Sequence, residues 1–179
     1  MQTAGRTAVA SSDLLDGNFM ADFDTNRFAS KTIEWATPDS VWKPLDAEFH
    51  FTLDVCATAE NTRCQRYHTK ETNGLRQPWE GVCWMNPPYG REMIAWLKRA
   101  VAERDNGVTT VALIPARTNT GWWHDIVTPN AEVRFVRGRP RFGDADHGLP
   151  FPLAVVIFRG AHALPSNVPD EPQTPREKP

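Results

Sequence analysis

The chain lacks most of what the commoner kinds of site are built from. Its three cysteines, Cys56, Cys64 and Cys83, are odd in number and carry no framework spacing. That argues against a disulfide scaffold and for reduced thiols in a cytoplasmic protein. Taken with His68, they match no tight zinc-knuckle pattern, so no metal is expected. There is no long apolar run, hence no expected membrane span. The first residues also lack the continuous apolar core of a signal peptide. Basic residues are not in excess: 20 Lys and Arg face 22 Asp and Glu, for a net charge of -2. No global basic field draws in a polyanion, and any such contact must be a local patch. Internal repeats, a nucleophile elbow and a carboxylate or metal cluster suited to hydrolysis are all missing.

What is present is an ordinary globular chain. Its 179 residues favour one domain with a core that needs no staples. Residues 1–30 are polar, with scattered apolar positions, and read as a flexible arm. Residues 31–162 form the expected folded body. Residues 163–179 hold Pro165, Pro169, Pro172, Pro175 and Pro179 among charges, a composition that reads as a disordered tail. Seven tryptophans are many for this length; some are expected to line a site for a flat ligand.

Within the body, residues 49–57 (FHFTLDVCA) read as a strand and residues 81–90 (GVCWMNPPYG) as a short strand followed by a rigid turn. Residues 91–107 predict an amphipathic helix with Met93, Ile94, Leu97, Ala100 and Val101 on one face, ended by Asn106 and Gly107. Residues 108–116 predict a buried strand and residues 120–127 a short helix. Residues 131–142 and 151–160 predict two late strands. The order is that of an α/β fold, with a mostly parallel sheet and a late antiparallel hairpin. Ligands of such sheets bind beyond the carboxyl ends of the strands, which is where Asp54, Asn86 and Arg117 are expected to converge.

The turn CWMNPPYG, residues 83–90, is the most informative stretch. The Asn86 side-chain oxygen and the Pro87 carbonyl are acceptors, and two prolines hold them in place. Two fixed acceptors facing one point suit an –NH2 group with two N–H bonds. Tyr89 adds an aromatic face on which a ring could stack. The arrangement suits an aromatic amine whose nitrogen is left free to attack, with no charged general base required.

NPPY resembles the catalytic motif of S-adenosylmethionine-dependent amino-methyltransferases. With TPDSVWKP, LDVCA, NGLRQPW, LIPARTNTGWWH and PFPLAVVIFRG in this order, the chain is similar to the small phage-type DNA N6-adenine methyltransferases over residues of about 33–160. The resemblance implies a compact Rossmann-like methyltransferase fold, S-adenosylmethionine as cofactor and double-stranded DNA as partner. It implies that Asn86, Pro87, Pro88 and Tyr89 hold a flipped adenine. Asp54, Cys56 and Ala57 would lie beside the cofactor, with Thr37 and Pro38 upstream and Asn73 and Leu75 near its adenine. The usual glycine-rich turn after the first strand is replaced by DVCATAEN. Glu60 is a candidate for the ribose-binding acid, with an exposed carboxylate at a helix start as the equal alternative. Only about thirty residues separate Asp54 from Asn86, so the usual second and third strands must be short or missing. The implied chemistry is base flipping and direct displacement without a metal. The implied purpose is protection of phage DNA from host restriction.

For DNA contact the sequence offers Arg134, Arg137, Arg139 and Arg141 within eight residues, and Arg117 after the neighbouring strand. Gly138, Pro140 and Gly143 suggest that this segment is an exposed loop. Trp122, Trp123 and His124 either flank the target pocket or pack a short helix. Cytosine N4, RNA or a protein glutamine would present the same amine, and a catalytically inactive DNA-binding relative would share the fold.

Overall fold

The computed structural model describes residues 37–142 and 149–161. The expected arm (1–30), the expected tail (163–179) and Gly143 lie outside the described residues.

The first described element is one that the sequence pattern hid. Helix α1 spans Asp39–Phe49 and contains Pro44. A proline inside a helix costs about 3 kcal/mol. Leu45 and Phe49, one turn apart, are both buried, and each buried side chain of this size contributes about 1.5–3 kcal/mol. Packing therefore offsets the break. Asp39 in the first turn pairs with Lys43 at 2.8 Å. The helix stops at His50, which is left-handed (φ 53°), while the Asp46 side chain accepts the Phe51 N–H at 3.1 Å. Phe49, expected to open a strand, thus ends a helix.

What remains of that strand is β1, Leu53–Asp54. Then come β2 (Val82–Met85), α2 (Met93–Asp105), β3 (Thr109–Pro115), β4 (Glu132–Phe135) and β5 (Leu153–Phe158). The sheet order is β1-β2-β3-β5-β4. β1, β2 and β3 are mutually parallel, and β5 is antiparallel to both β3 and β4. The sheet is therefore mixed: four strands run one way and β5 runs against them. The late antiparallel pair is present, but β4 covers only four of the twelve residues expected of it. Beyond β1, the described residues add a single bridge, Asp54 to Tyr67.

β3 and β5 are fully buried and join through a six-rung ladder, Thr110↔Phe158 to Pro115↔Leu153. Their alternate residues feed two cores. Ala112, Ile114, Ala154, Val156 and Phe158 share one with Met93, Trp96, Leu97 and Ala100 of α2. Val111, Leu113, Leu153, Val155 and Ile157 share the other with Leu45 and Phe49 of α1. α2 starts two residues later than predicted and ends as predicted, with Gly107 at φ 90°. Among the described residues no helix is long and apolar enough to cross a membrane.

A close approach fixes the end of β1. A Cβ on Gly74 would lie 2.1 Å from the Val55 carbonyl oxygen, whereas one on Gly90 would meet nothing within 4 Å. Gly74→Ala should therefore lower stability by about 1–3 kcal/mol, and Gly90→Ala should leave it nearly unchanged. Thermal melting of the two variants checks this; equal melting temperatures would contradict the packing.

Candidate functional site

The shared direction of β1, β2 and β3 sets Asp54, Met85 and Pro115 at one edge of the sheet, through the registers Asp54↔Trp84 and Met85↔Ala112. The chain leaving each strand there carries the candidate residues. β4 runs the same way, so the arginines that follow Phe135 leave the sheet at this edge as well.

Asn86 stands at the centre. Its side-chain Nδ2 donates to Thr37 Oγ1 at 3.3 Å, and its Oδ1 accepts from the Tyr89 hydroxyl at 3.1 Å. The same hydroxyl lies 3.3 Å from the Leu113 carbonyl oxygen. One phenolic proton is thus shared between two acceptors, and burial pushes the Tyr89 pKa well above its usual value. The Tyr89 ring meets Phe151 edge-on at 5.9 Å. Pro87 is buried and Pro88 exposed. The turn is therefore pinned at its amide, its first proline and its phenol.

Asp54 is 3% exposed. Its backbone pairs on the open side of the sheet, with its N–H to Arg66 O and its carbonyl accepting from His68 N–H, both at 2.9 Å. Its carboxyl oxygens accept the N–H groups of Cys56 at 3.3 Å and Arg63 at 3.4 Å. Burial outweighs these two bonds and the Arg63 charge, and the pKa is pushed up to about 6. Cys56 links the two strand ends: its thiol pKa is raised by burial and by Asp54, against the pull of the Asn86 backbone N–H. Cys64 and Cys83 are both pushed up to about 12, chiefly by burial. Among the described residues no group of three His, Cys, Asp or Glu could hold a metal ion.

Residues 73–75 also reach this edge. Asn73 is left-handed (φ 55°) and opens the 3-10 turn Gly74–Arg76, which lies against Val55. Leu75 packs on the α2 core. Pro38 precedes α1 beside buried Thr37, while Ala57 is buried and Glu60 is exposed.

The polyanion candidates divide. Arg117, Arg137, Arg139 and Arg141 are exposed. Arg134 is not available in the same sense: it pairs with Glu48 at 2.6 and 2.8 Å and with Glu132 at 2.6 Å. Trp123 is 5% exposed and lies in the α2 core, so its role is packing and no face is left for a base. Trp122 is half-buried, edge-on to Trp123 at 5.6 Å, and His124 is exposed. The helix expected there is a π-helical turn, Trp123–Val127, closed by Thr128 N–H to Trp123 O at 2.9 Å. Trp79, Trp84 and Trp96 are also core residues, so most described tryptophans pack rather than line a site.

One residue of this edge escaped the sequence reading. Arg63 donates to Asp39 Oδ1 at 2.8 Å and to the Thr37 carbonyl, and its guanidinium lies 5.7 Å from the Trp42 ring centroid. No motif marks it.

Fold and site together define an α/β protein whose candidate edge carries a proline-fixed amide and a buried carboxyl group. The family model described as DNA N-6-adenine-methyltransferase (Dam) matches residues 24–151, and the chain belongs to that family. It is 30% identical over 105 residues to a DNA N-6-adenine-methyltransferase of Escherichia phage T1, covering 57% of this chain and 44% of the relative. It is 34% identical over 101 residues to a DNA N-6-adenine-methyltransferase of Haemophilus phage HP1 (strain HP1c1), covering 55% and 58%. The chain thus spans about half the length of these curated relatives.

A carboxyl group whose folded pKa of about 6 lies above its ordinary 3.8 binds its proton more tightly in the folded state. Its contribution to stability is greatest at low pH and falls as pH rises from about 4 through about 6, by about 3 kcal/mol in all. Carbon-detected titration of the Asp54 carboxyl should show a midpoint near pH 6; a midpoint near 4 would contradict its burial.

Proposed function

We propose that the protein transfers a methyl group from S-adenosylmethionine to the N6 amine of adenine in double-stranded DNA. The observation that carries this reading is the Asn86 amide, bracketed by Thr37 and Tyr89 at the carboxyl edge of the parallel strands. Family membership and the names of the phage relatives support it. So does the mixed α/β sheet, whose parallel strands β1, β2 and β3 carry the candidate groups to one edge.

The donor set suits the cofactor. The Asp54 carboxyl is buried and, among the described residues, accepts two long hydrogen bonds from backbone N–H groups, at 3.3 and 3.4 Å, which leaves lone pairs for a cationic group. Asp54, Cys56 and Ala57 would hold the methionine part, with Thr37 and Pro38 on one flank and Asn73 and Leu75 towards the adenine. S-adenosylmethionine supplies the methyl group when bound.

The amine would come from a base taken out of the stack. Asn86 Oδ1 and the Pro87 carbonyl accept its two N–H bonds and turn its lone pair outward. Pro88 and the Tyr89 ring limit how the base can lie. No charged side chain need take the proton before attack: the two acceptors draw the nitrogen lone pair out of conjugation with the ring, and the nitrogen gives up one proton to water once it has gained the methyl group. Arg117, Arg137, Arg139 and Arg141, with Trp122, would meet the duplex flanking the pocket.

The reading is tested by methyl transfer from labelled S-adenosylmethionine to unmethylated duplex DNA, followed by nucleoside digestion. N6-methyladenine is the expected product. Methylcytosine, or transfer only to RNA or protein, would replace the substrate, and no cofactor binding would overturn the enzyme reading. Arg137→Ala with Arg139→Ala should weaken DNA binding and lower the slope of log affinity against log salt by about 2. An unchanged slope would move the DNA surface elsewhere.

A further inference from the structure

Three groups that the proposed reaction does not itself use meet at the site: Arg63, Asp39 and the Thr37 backbone. Arg63 lies in the loop after β1, more than twenty residues from both of its side-chain partners. One guanidinium nitrogen, Nη1, donates to Asp39 Oδ1 at 2.8 Å, and Nη2 donates to the Thr37 carbonyl. The guanidinium also lies over the Trp42 ring, 5.7 Å from its centroid. The backbone N–H of Arg63 is bound to Asp54 Oδ2 at 3.4 Å. A single residue therefore ties the start of α1 to the end of β1. Its side chain is 27% exposed, so these contacts are partly shielded from water.

Thr37 is 3% exposed, and its hydroxyl touches the Asn86 amide at 3.3 Å. It precedes the first residue of α1 by two positions, where no helical hydrogen bond fixes its carbonyl. The described contact that does so is the Arg63 bond. We propose that Arg63 is a positioning residue for Asn86: it holds Thr37 so that the Thr37 hydroxyl keeps the Asn86 amide at the place where it meets the substrate amine. This inference rests on the reading of Asn86 as the amine-holding group. Arg63 itself touches neither substrate nor methyl donor in this account. Lysine would be a poor substitute, since one ammonium cannot present two nitrogens in a fixed fork to a carboxylate and a carbonyl while stacking on an indole.

The test uses the full chain with Arg63→Gln, Arg63→Lys, Thr37→Val and Thr37→Ser. The first readout needs no activity: the Asn86 side-chain amide signals in nitrogen–proton correlation spectra, assigned as the pair missing from Asn86→Ala. In Arg63→Gln and Thr37→Val they should move towards free-amide positions, and in Thr37→Ser they should stay with wild type. The second readout is steady-state methyl transfer to duplex DNA. Arg63→Gln should lower kcat about tenfold to a hundredfold, with the cofactor KM within about threefold, and Thr37→Val should lower kcat by a similar factor. Arg63→Lys should fall between wild type and Arg63→Gln.

Unmoved amide signals in Arg63→Gln, or a loss confined to the cofactor KM, would overturn the proposal. If Arg63→Gln does not fold, Thr37→Val decides: it removes one hydroxyl and keeps the chain's shape, and unmoved amide signals there would overturn the proposal. Amide signals that move as expected in a wild-type protein that makes no methyladenine would leave the positioning role standing and sink the functional reading instead.

Discussion

The geometry of the candidate site depends on one side-chain amide. Asn86 leaves β2 at the carboxyl edge with Nδ2 on Thr37 and Oδ1 on Tyr89. An asparagine after a strand ordinarily has several rotamers within reach. Here buried Pro87 fixes the backbone that follows, and two hydroxyls from different parts of the chain hold the side chain. The Tyr89 hydroxyl is itself anchored on the β3 carbonyl of Leu113. The amide is thereby referenced to the most buried strand of the sheet. Orientation fixed in this way is what a reaction without a charged base requires, because most of its acceleration comes from placement.

The sheet supplies the rest. Three parallel strands in register end side by side, so residues thirty positions apart in sequence come together at one edge. β1 needs only two residues for this, because the chain returning through Tyr67 pairs on its open side and the Gly74 turn packs against Val55. A buried carboxyl group at the end of β1 costs stability at neutral pH, and Asp54 carries that cost with its pKa near 6. Such groups concentrate at binding sites. The approach of a cation would relieve that cost.

Much of this was legible in the sequence, for physical reasons that differ by element. α2 showed its 3.6-residue apolar period and a glycine stop; β3 and β5 showed continuous apolar runs; the two prolines after Met85 marked the end of β2. α1 was hidden because Pro44 argues against a helix, and only the packing of Leu45 and Phe49 overrides it. Phe49 to Ala57 looked like one strand because apolar residues at a helix end and a strand start make one pattern. Arg134 was grouped with the arginines offered for DNA contact, and Trp123 was left open between the target pocket and the core, because composition does not reveal a partner: Trp123 packs in the core and Arg134 pairs with Glu48 and Glu132. Arg63 was invisible, since its importance lies in three contacts distant in sequence.

The most direct test of the central claim is a single-turnover measurement of methyl transfer by Asn86→Ala alongside wild type, with cofactor affinity measured calorimetrically on the same preparations. The account predicts that transfer falls by about two to three orders of magnitude, as for loss of a group acting on the reacting centre, while cofactor affinity stays within a few fold. Transfer and affinity both intact in the variant would contradict it.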